Sequence, residues 1–455
     1  MIASVGRMMR KGGGGLVWPK GLKESIKAWY DPKKQGMTNY DVIEAYVEDF
    51  TTWNYLSSRG SATVTKNKII ITKSFSNTQN IIEDNKSPYD DIKIYVTGIS
   101  EDNPLTINQY VDNKWVRLHT YTTDGIYIVK NRNLYVGFGT YITDDCNITI
   151  TQLPTSILKD LSGNGNHAYL YGGKGKLNSG MGVYKVDYTT YNNSGNQNVT
   201  DIKPNSFVLL AGALSLLGLP YSSIIGEYIP SYAIRIQGIS GGTITYYYRN
   251  ENGKQLTYVI DADGDYILPP CYSEGAEGTA VNIVSNNNIN NVTITQIPDY
   301  PDQLCYDGKM YAVCYGFPIL TDYTVMAERT WFEKEEYSAF ISNSLGGMDD
   351  PDNGAFCVEI KSLNSFTAIS FGSITSIGIP EKGITYQTKQ SYNGNSINVG
   401  TKESNDVLTL GGRYFYKNDN AVGNIWNGCH GAIIVADRSF TEEEINWLKD
   451  NLFRK

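Results

Sequence analysis

Charge and reactive side chains are scarce in this chain. Of its 455 residues 19% are charged, and Asp and Glu outnumber Lys and Arg by 47 to 39. Binding to nucleic-acid phosphates needs clustered positive charge, so no nucleic-acid partner is expected. The H-E-x-x-H zinc motif and the Walker loop are absent, and we predict no nucleophile elbow. Structural roles are predicted for the three histidines, and the protein is predicted not to be an enzyme.

Cysteines and long apolar runs are also sparse. The six cysteines are scattered and form no C-x-x-C pair, which predicts reduced, buried thiols rather than a disulfide framework or a zinc site. The longest apolar run, residues 207–219, is too short for a bilayer, which takes about 20 residues. Four glycines stand where the apolar core of a secretory signal would begin. We therefore expect no membrane insertion and synthesis in the cytoplasm.

The abundant residues indicate β-structure. Tyr (35) and Gly (45) are frequent. Tyr, Thr, Ile and Val alternate with Asn, Asp and Gly in runs of about four to eight residues, the pattern of half-buried antiparallel strands. The predicted fold class is all-β.

The chain also repeats itself. Residues 46–54 (YVEDFTTWN) recur at 184–192 (YKVDYTTYN), 98–100 (GIS) recur at 238–240, and 147–154 (NITITQLP) recur at 291–298 as NVTITQIP. The three pairs keep one order and nearly one spacing, which indicates a duplicated module. We predict two β-sandwich modules, at 38–154 and 183–298, comparable with immunoglobulin-like domains.

Matching residues in the two copies have predicted roles. Asp49 and Asp187 are expected to cap turns. Trp53 and Tyr191 are expected to occupy the module cores. The residues that the two copies share would then stabilise the fold rather than bind a ligand.

The rest of the chain forms one interrupted domain and an arm. Residues 24–37, 155–182 and 299–455 together make about 200 residues, enough for a host domain that carries the modules as insertions in loops. Residues 1–23 are predicted to form an N-terminal arm, in which Arg7, Arg10 and Lys11 precede four glycines. We expect the arm to anchor the chain to a larger assembly; a disordered tail is the alternative.

The host pieces carry a family resemblance. Residues 160–167 read DLSGNGNH, 306–312 read YDGKMYA, 408–412 read LTLGG, and 431–448 read GAIIVADRSFTEEEINWL with a predicted Thr441–Glu444 capping box. In this order they resemble strands and the closing helix of laminin-G-like, concanavalin A-like lectin and glucanase domains. Lys309 and Met310 depart from the acidic pair of that family's pattern. The resemblance implies a concanavalin A-like jelly-roll sandwich.

A second resemblance concerns residues 26–39, which read IKAWYDPKKQGMTN and lead towards DLSGNGNH. This arrangement resembles virion proteins of crAss-like tailed phages of gut Bacteroidetes. It implies a head fibre or capsid decoration, bound to other virion proteins through the arm, and we expect a homo-oligomer. The alternatives are a tail fibre or receptor-binding protein with specific glycan recognition, a glycoside hydrolase or lyase, and a bacterial surface lectin.

Candidate sugar-binding residues are aromatic, because rings stack on pyranose faces beside polar side chains. Tyr246, Tyr247 and Tyr248 are consecutive, and on a strand the first and third face one way and Tyr247 the other. Trp115 and Trp426 are further candidates, with host or mucosal glycans as expected ligands. The alternative is that these rings pack between sheets or at a subunit contact.

Calcium is the one cofactor that the sequence suggests. Many laminin-G-like domains bind it at loop Asp residues, so the resemblance makes Asp349, Asp350 and Asp352 candidate ligands. Residues 261–265 (DADGD) are predicted to be a plain hairpin turn, because the matching residues 122–126 (TTDGI) keep only Asp-Gly. The E-x-D-x-E pattern of concanavalin-like glucanases is absent.

Overall fold

Alternating apolar and polar residues produce strands along almost the whole chain. The computed structural model describes residues 16–37, 46–75, 80–84, 91–130, 135–140, 145–172, 176–177, 186–190, 199–210, 216–220, 228–272, 279–285, 291–333, 335–344, 354–362, 365–378, 383–415 and 421–453. These residues form an all-β sandwich fold, which confirms the predicted fold class.

The strands are numbered in chain order. The first is β1 (Ile26–Tyr30), followed by those of the first module: β2 (Asn54–Tyr55), β3 (Gly60–Val64), β4 (Lys68–Ser74), β5 (Asn80–Glu83), β6 (Ile92–Thr97), β7 (Leu105–Val111), β8 (Lys114–Tyr121), β9 (Gly125–Val129), β10 (Val136–Gly139) and β11 (Asp145–Gln152). Between the modules lie β12 (Ile157–Leu158), β13 (Ala168–Tyr171) and β14 (Lys176–Leu177).

The second module contains β15 (Val199–Lys203), β16 (Ser206–Leu209), β17 (Leu216–Pro220), β18 (Tyr228–Ile229), β19 (Tyr232–Gln237), β20 (Ile244–Arg249), β21 (Gln255–Ile260), β22 (Gly264–Leu268), β23 (Cys271–Tyr272), β24 (Thr279–Ser285) and β25 (Val292–Ile297). The remaining strands are β26 (Leu304–Asp307), β27 (Tyr311–Tyr315), β28 (Thr324–Trp331), β29 (Ala339–Ser344), β30 (Gly354–Ser362), β31 (Ser365–Ser370), β32 (Ser373–Gly378), β33 (Gly383–Thr388), β34 (Ser391–Tyr392), β35 (Asn395–Ser396), β36 (Val407–Leu410), β37 (Arg413–Phe415), β38 (Ala421–Gly423) and β39 (Asn427–Ala436).

Helical elements are short. They are α1 (Leu22–Ser25), α2 (Pro32–Gln35), α3 (Glu442–Leu448), two 3₁₀ turns (Phe50–Thr52 and Tyr188–Thr190) and a π-helical turn (Lys449–Phe453). The helix α3 begins with the predicted capping box, in which Thr441 and Glu444 exchange side-chain and backbone hydrogen bonds.

Two eight-stranded sheets form the host sandwich. One has the order β14-β26-β39-β28-β33-β34-β35 with β1 beside β39, and the other the order β12-β13-β27-β36-β29-β30-β31-β32. Their strands come from all three chain pieces predicted to form the host. Between the sheets lies a core that includes Tyr306, Phe340 and Trp426, each fully buried.

The DLSGNGNH segment attaches β1 to this sandwich. The Asp160 carboxylate accepts hydrogen bonds from the backbone N–H groups of Trp29 (3.0 Å), Ser162 (2.9 Å) and Asn166 (3.0 Å). Asn166 Nδ2 donates to the Lys27 carbonyl at 2.7 Å. The polar residues of the motif therefore satisfy backbone hydrogen-bonding groups of β1, which belongs to a different piece of the host.

The two modules are built alike. The first has sheets β2-β5-β10-β7-β8 and β3-β4-β11-β6-β9, and the second has sheets β15-β16-β25-β19-β22 and β17-β24-β20-β21 with the pair β18-β23. Each of these sheets takes its described strands from one module alone. The module bounds themselves stay a prediction.

Residues repeated in the sequence make the same contacts in both copies. Gln152 and Gln296 are buried, and each bonds both backbone groups of one residue, Glu48 and Val186 respectively. Asp49 and Asp187 cap the two 3₁₀ turns by accepting hydrogen bonds from Thr51 N–H and Thr189 N–H, as predicted. Trp53 lies in the first core, 5% exposed, whereas Tyr191 lies outside the described residues.

Candidate functional site

The outer face of the β2-β5-β10-β7-β8 sheet brings aromatic residues together. Ile107 and Phe138 are fully buried in the first core, so side chains that alternate with them on β7 and β10 face outward. Asp112 and Asn113 have φ of 49° and 62° and form the two-residue connection of a β-hairpin. This turn sets the register in which Tyr110 lies opposite Trp115.

Three rings form what we term the aromatic patch: Tyr110, Trp115 and Tyr135. The Tyr110 ring centroid lies 5.4 Å from that of Trp115 and 6.1 Å from that of Tyr135. Tyr110 N–H also donates to the Tyr135 carbonyl at 3.0 Å, which fixes the third ring beside the first. Tyr135 is 40% exposed and the other two are partly exposed. The patch is therefore accessible to a ligand.

A polar network supports the sheet beside the patch. Asn108 Nδ2 donates to Asn80 Oδ1 at 2.7 Å, and Asn80 Nδ2 donates to Glu83 Oε2 at 3.2 Å. The Asn80 side chain fills the space that a Cβ on Gly137 would occupy. Both asparagines are buried, so the network fixes the sheet surface rather than presenting hydrogen-bonding groups to a ligand.

Exposed polar side chains surround the patch. Asp112 and Asn113 occupy the turn, Lys114 follows them, and Arg117 lies opposite Asn108 on β8. They supply donors and acceptors near the rings. The sequence identified Trp115 but missed Tyr110 and Tyr135. The hairpin pattern on either side of Asp112-Asn113 was the available signal for Tyr110. Tyr135 directly precedes β10 and reaches Tyr110 because β10 pairs with β7, which is distant in sequence.

The three consecutive tyrosines of the second module are split by the strand alternation. Tyr246 is 1% exposed within the second core, so its prediction as a sugar-binding residue is wrong. Tyr248 stacks on Tyr246 at 5.7 Å and packs against the same core. Tyr247 is partly exposed on the outer face, opposite Thr257. Of the three tyrosines, only Tyr247 therefore has its side chain on the outer face, as sugar binding requires.

Trp426 is also a core residue. It is fully buried, with its ring 5.2 Å from Tyr306, 4.8 Å from Phe340 and 5.5 Å from Trp331. Its prediction as a carbohydrate contact is wrong, because these rings enclose it between the two host sheets. Sequence alternation does not distinguish an outward tryptophan from one in a sandwich core.

The calcium candidates Asp349, Asp350 and Asp352 lie outside the described residues. Residues 261–265 do not form the predicted hairpin turn, because β21 pairs with β20 in one sheet and β22 pairs with β19 in the other. They connect the two sheets instead: Asp263 accepts hydrogen bonds from Gly238 N–H and Ile239 N–H, and Asp265 pairs with Arg235 at 2.7 Å. Within the described part of the chain, no group of three or more His, Cys, Asp and Glu side chains is arranged to hold a metal ion.

The described histidine contacts are structural. His167 Nδ1 accepts a hydrogen bond from Asp160 N–H at 3.0 Å, which closes the DLSGNGNH loop. His430 Nδ1 lies 2.8 Å from the Gly431 carbonyl and must donate to it, so Nε2 accepts from Tyr306 OH at 3.1 Å. Burial lowers the pKa of His430 to about 4, which keeps the ring neutral. His119 stacks on Tyr121, with ring centroids 5.7 Å apart.

The letters of a nucleophile elbow occur at residues 238–242 (GISGG), but its geometry does not. This segment joins strands β19 and β20, whereas the elbow requires a turn from a strand into a helix. Its Gly238 N–H is bonded to Asp263, so the segment is a capped turn.

Residues 16–23, which were predicted to belong to the N-terminal arm, pack on the host domain. Trp18 lies against Trp29 (6.1 Å between ring centroids) and Trp447 (5.0 Å), and Leu22 is fully buried, so residues 16–23 belong to the host surface. Arg7, Arg10 and Lys11 lie outside the described residues. Among the helices that the structure describes, none has the length and apolar character needed to cross a membrane.

Comparisons with known proteins give little guidance. No protein-family model matches the chain, and no curated protein matches its sequence. A Trypanosoma rangeli sialidase structure matches 87% of this chain and 84% of its own, at 10% identity and a TM-score of 0.25. Hazelnut (Corylus avellana) vicilin matches 56% and 85%, and an allantoicase 60% and 92%, at 10% and 12% identity, each with a TM-score of 0.12. Scores this low carry no argument about function.

Proposed function

We propose that this chain is a non-enzymatic display protein whose first module binds glycans through the aromatic patch of Tyr110, Trp115 and Tyr135. The observation that carries the proposal is three contacting, partly exposed rings on one sheet face. Sugar rings present apolar C–H faces that stack on such side chains, while their hydroxyls bond to nearby polar groups. Asp112, Asn113 and Arg117 are exposed beside the rings for that purpose.

The surroundings of the patch suit a weak, repeated interaction. The polar network beside the rings is buried and hydrogen-bonded, so the rings are held in place before a ligand binds. Three partly exposed rings at the hairpin end of a sheet face bury less of a ligand than a cleft does, which favours low affinity per site. Many copies on one particle would turn low affinity into useful avidity.

In this proposal the display is on a virion, as a head fibre or capsid decoration, and its support is the resemblance of residues 26–39, which lead towards DLSGNGNH, to virion proteins of crAss-like phages. In the same proposal, two inserted modules extend from a concanavalin A-like host domain, and residues 1–15 anchor the chain to other virion proteins. The chain acts as a homo-oligomer.

Glycan binding is tested with the full chain on a glycan array and then by titration with the strongest ligand. Trp115→Ala is expected to weaken binding by about tenfold, as truncating an aromatic contact at a binding surface does. Tyr247→Ala, which removes a partly exposed ring from the second module, is the matched control and should leave binding unchanged. Equal affinity of wild type and Trp115→Ala would contradict the proposed site.

Virion location is tested by immunogold labelling of purified phage particles with antibody to this protein. Gold over the capsid supports a head fibre or decoration, and gold on the tail supports the receptor-binding alternative. Particles without gold, although the epitope is shown to be accessible, would contradict the virion assignment. The release of reducing ends from an array-positive polysaccharide would contradict the non-enzymatic assignment.

A further inference from the structure

Two cysteines of the host domain lie directly opposite each other on neighbouring strands. In the antiparallel pairing of β26 with β39, Cys305 faces Cys429, flanked by the pairs Leu304–His430 and Tyr306–Gly428. Directly opposed residues have Cα atoms about 4.5–5.5 Å apart and side chains on one face, and disulfides bridge Cα separations of about 4.4–6.8 Å. The backbone therefore already has the spacing that a disulfide needs.

One residue contacts both thiols. Cys429 Sγ donates to Gln303 Oε1 at 3.0 Å, and Cys305 Sγ donates to the Gln303 carbonyl at 3.8 Å. Gln303 also lines a cavity of about 160 Å³ with Asp302 and Lys33, whose side chains are 48% and 56% exposed. The thiols, themselves 0–2% exposed, are thus both bonded to a residue that lines a cavity beside exposed side chains.

We propose that Cys305 and Cys429 are a disulfide-forming pair, oxidised by a low-molecular-weight disulfide such as oxidised glutathione. One cysteine attacks the glutathione disulfide and releases one glutathione thiol. The second cysteine attacks the resulting mixed disulfide, releases the second glutathione and closes the Cys305–Cys429 bond. Two protein thiols are oxidised while one glutathione disulfide is reduced to two thiols, so atoms and electrons balance.

The position of the pair predicts slow formation and a stabilising result. Burial raises the pKa of Cys429, which keeps the thiolate scarce, so oxidation requires displacement of Gln303 and is faster at alkaline pH. The bond would join β26 to β39, which are distant in sequence and lie side by side in one host sheet. Such a cross-link restricts the unfolded chain and raises the unfolding temperature. A virion protein leaves the reducing cytoplasm, and the bond would form after that step. When the bond forms therefore rests on the proposed function, whereas the pairing of Cys305 with Cys429 does not.

The test uses the full chain, purified with reductant. One sample is exposed to oxidised glutathione in the folded state, and another is refolded in a glutathione buffer so that burial does not limit access. Free thiols are then alkylated, and unreduced digests are analysed by mass spectrometry. The expected product is a linked pair of peptides that contain Cys305 and Cys429, about 2 Da lighter than the two thiol forms together.

Two variants control the assignment. Cys305→Ser should abolish the linked product and remove any rise in unfolding temperature between the reduced and oxidised forms. Cys357→Ser, at another buried cysteine, should retain both. The proposal is overturned if Cys305 and Cys429 remain alkylated after both treatments, or if they link to other cysteines as often as to each other. Because cross-link mapping of the wild type decides between these outcomes alone, the test still stands if a variant fails to fold, and the glycan-binding assay is independent of it.

Discussion

The two inserted modules share a framework but use the same sheet face in different ways. In the first, Tyr95 on β6 lies opposite Ile126 on β9, and Tyr95 stacks on Tyr315 of the host sheet with ring centroids 4.2 Å apart. In the second, the matching residues are Arg235 and Asp265, again directly opposite each other, and they form an exposed ion pair. One face is an interdomain contact, and its counterpart is a charged surface.

This difference shows which residues of a duplicated module are constrained by folding. Positions that bond the backbone are kept: Asp124 accepts a hydrogen bond from Ile99 N–H at 2.9 Å, and Asp263 accepts one from Ile239 N–H at 2.7 Å. Positions whose side chains point away from the module core differ between the copies: they are aromatic where another domain covers them and charged where they face solvent. The aromatic patch also differs between the copies, because the position of Tyr110 on β7 is matched by Arg249 on β20, which pairs with Gln255 rather than with a tryptophan.

Breaking the shared framework should have the largest effect. Gly98 and Gly238 have φ of +82° and +101°, and a Cβ on either would overlap the carbonyl of Asn147 or Asn291. Gly98→Ala and Gly238→Ala are each expected to lower the free energy of unfolding of their module by about 3 kcal/mol, because backbone strain and overlap add. Guanidinium unfolding followed by circular dichroism measures the loss.

The matched control for these glycines is Gly241→Ala. Gly241 has φ of +72°, but nothing lies within 4 Å of the position of its Cβ. The strain alone should cost about 1 kcal/mol. If Gly241→Ala proved as damaging as Gly238→Ala, the close approach to the Asn291 carbonyl would not be what requires glycine in the framework.

Exchanging the divergent residues should give a smaller, asymmetric effect. Tyr95→Arg would bury a cation without a carboxylate partner against Tyr315, near Lys93, and is expected to cost about 3 kcal/mol at most, less if the modules separate and expose it. Arg235→Tyr replaces one member of an exposed ion pair and should leave the unfolding midpoint nearly unchanged.

Hydrogen exchange localises the effect of the exchange. Tyr95→Arg should raise amide exchange in β27, which carries Tyr315, while Arg235→Tyr should leave β27 protected. Equal protection in the two variants would mean that Tyr95 does not hold the first module against the host.

The sequence predicted the framework better than the surfaces, for a physical reason. Repeated letters identified Asp49 and Asp187 as turn caps and marked Gly98 and Gly238 as matching positions, because backbone geometry leaves few residue choices there. Tyr246 and Trp426 were misassigned because an aromatic ring suits a core as well as a sugar, and only the sheet that covers it decides which. Tyr135 was missed because its place beside Tyr110 depends on the pairing of β7 with β10, which no local pattern specifies.

The smallest effect expected is a pH-dependent one at Gly238 and Ile239, whose N–H groups bond to Asp263. Hydrogen bonds from Gly238 N–H and Ile239 N–H lower the pKa of the Asp263 carboxyl below its ordinary value of 3.8. Because the folded pKa is the lower one, this carboxylate stabilises the fold above the unfolded pKa, and the stabilisation is lost as pH falls through the folded pKa. Asp263→Asn should therefore lower the unfolding midpoint at pH 7, and this deficit should shrink as pH falls through the folded pKa of Asp263. Asp124→Asn is the counterpart in the first module. If the deficit of Asp263→Asn stayed constant from pH 7 to pH 2, the carboxylate charge would not be what stabilises this segment, and the loss of one of the two acceptor oxygens would account for the deficit.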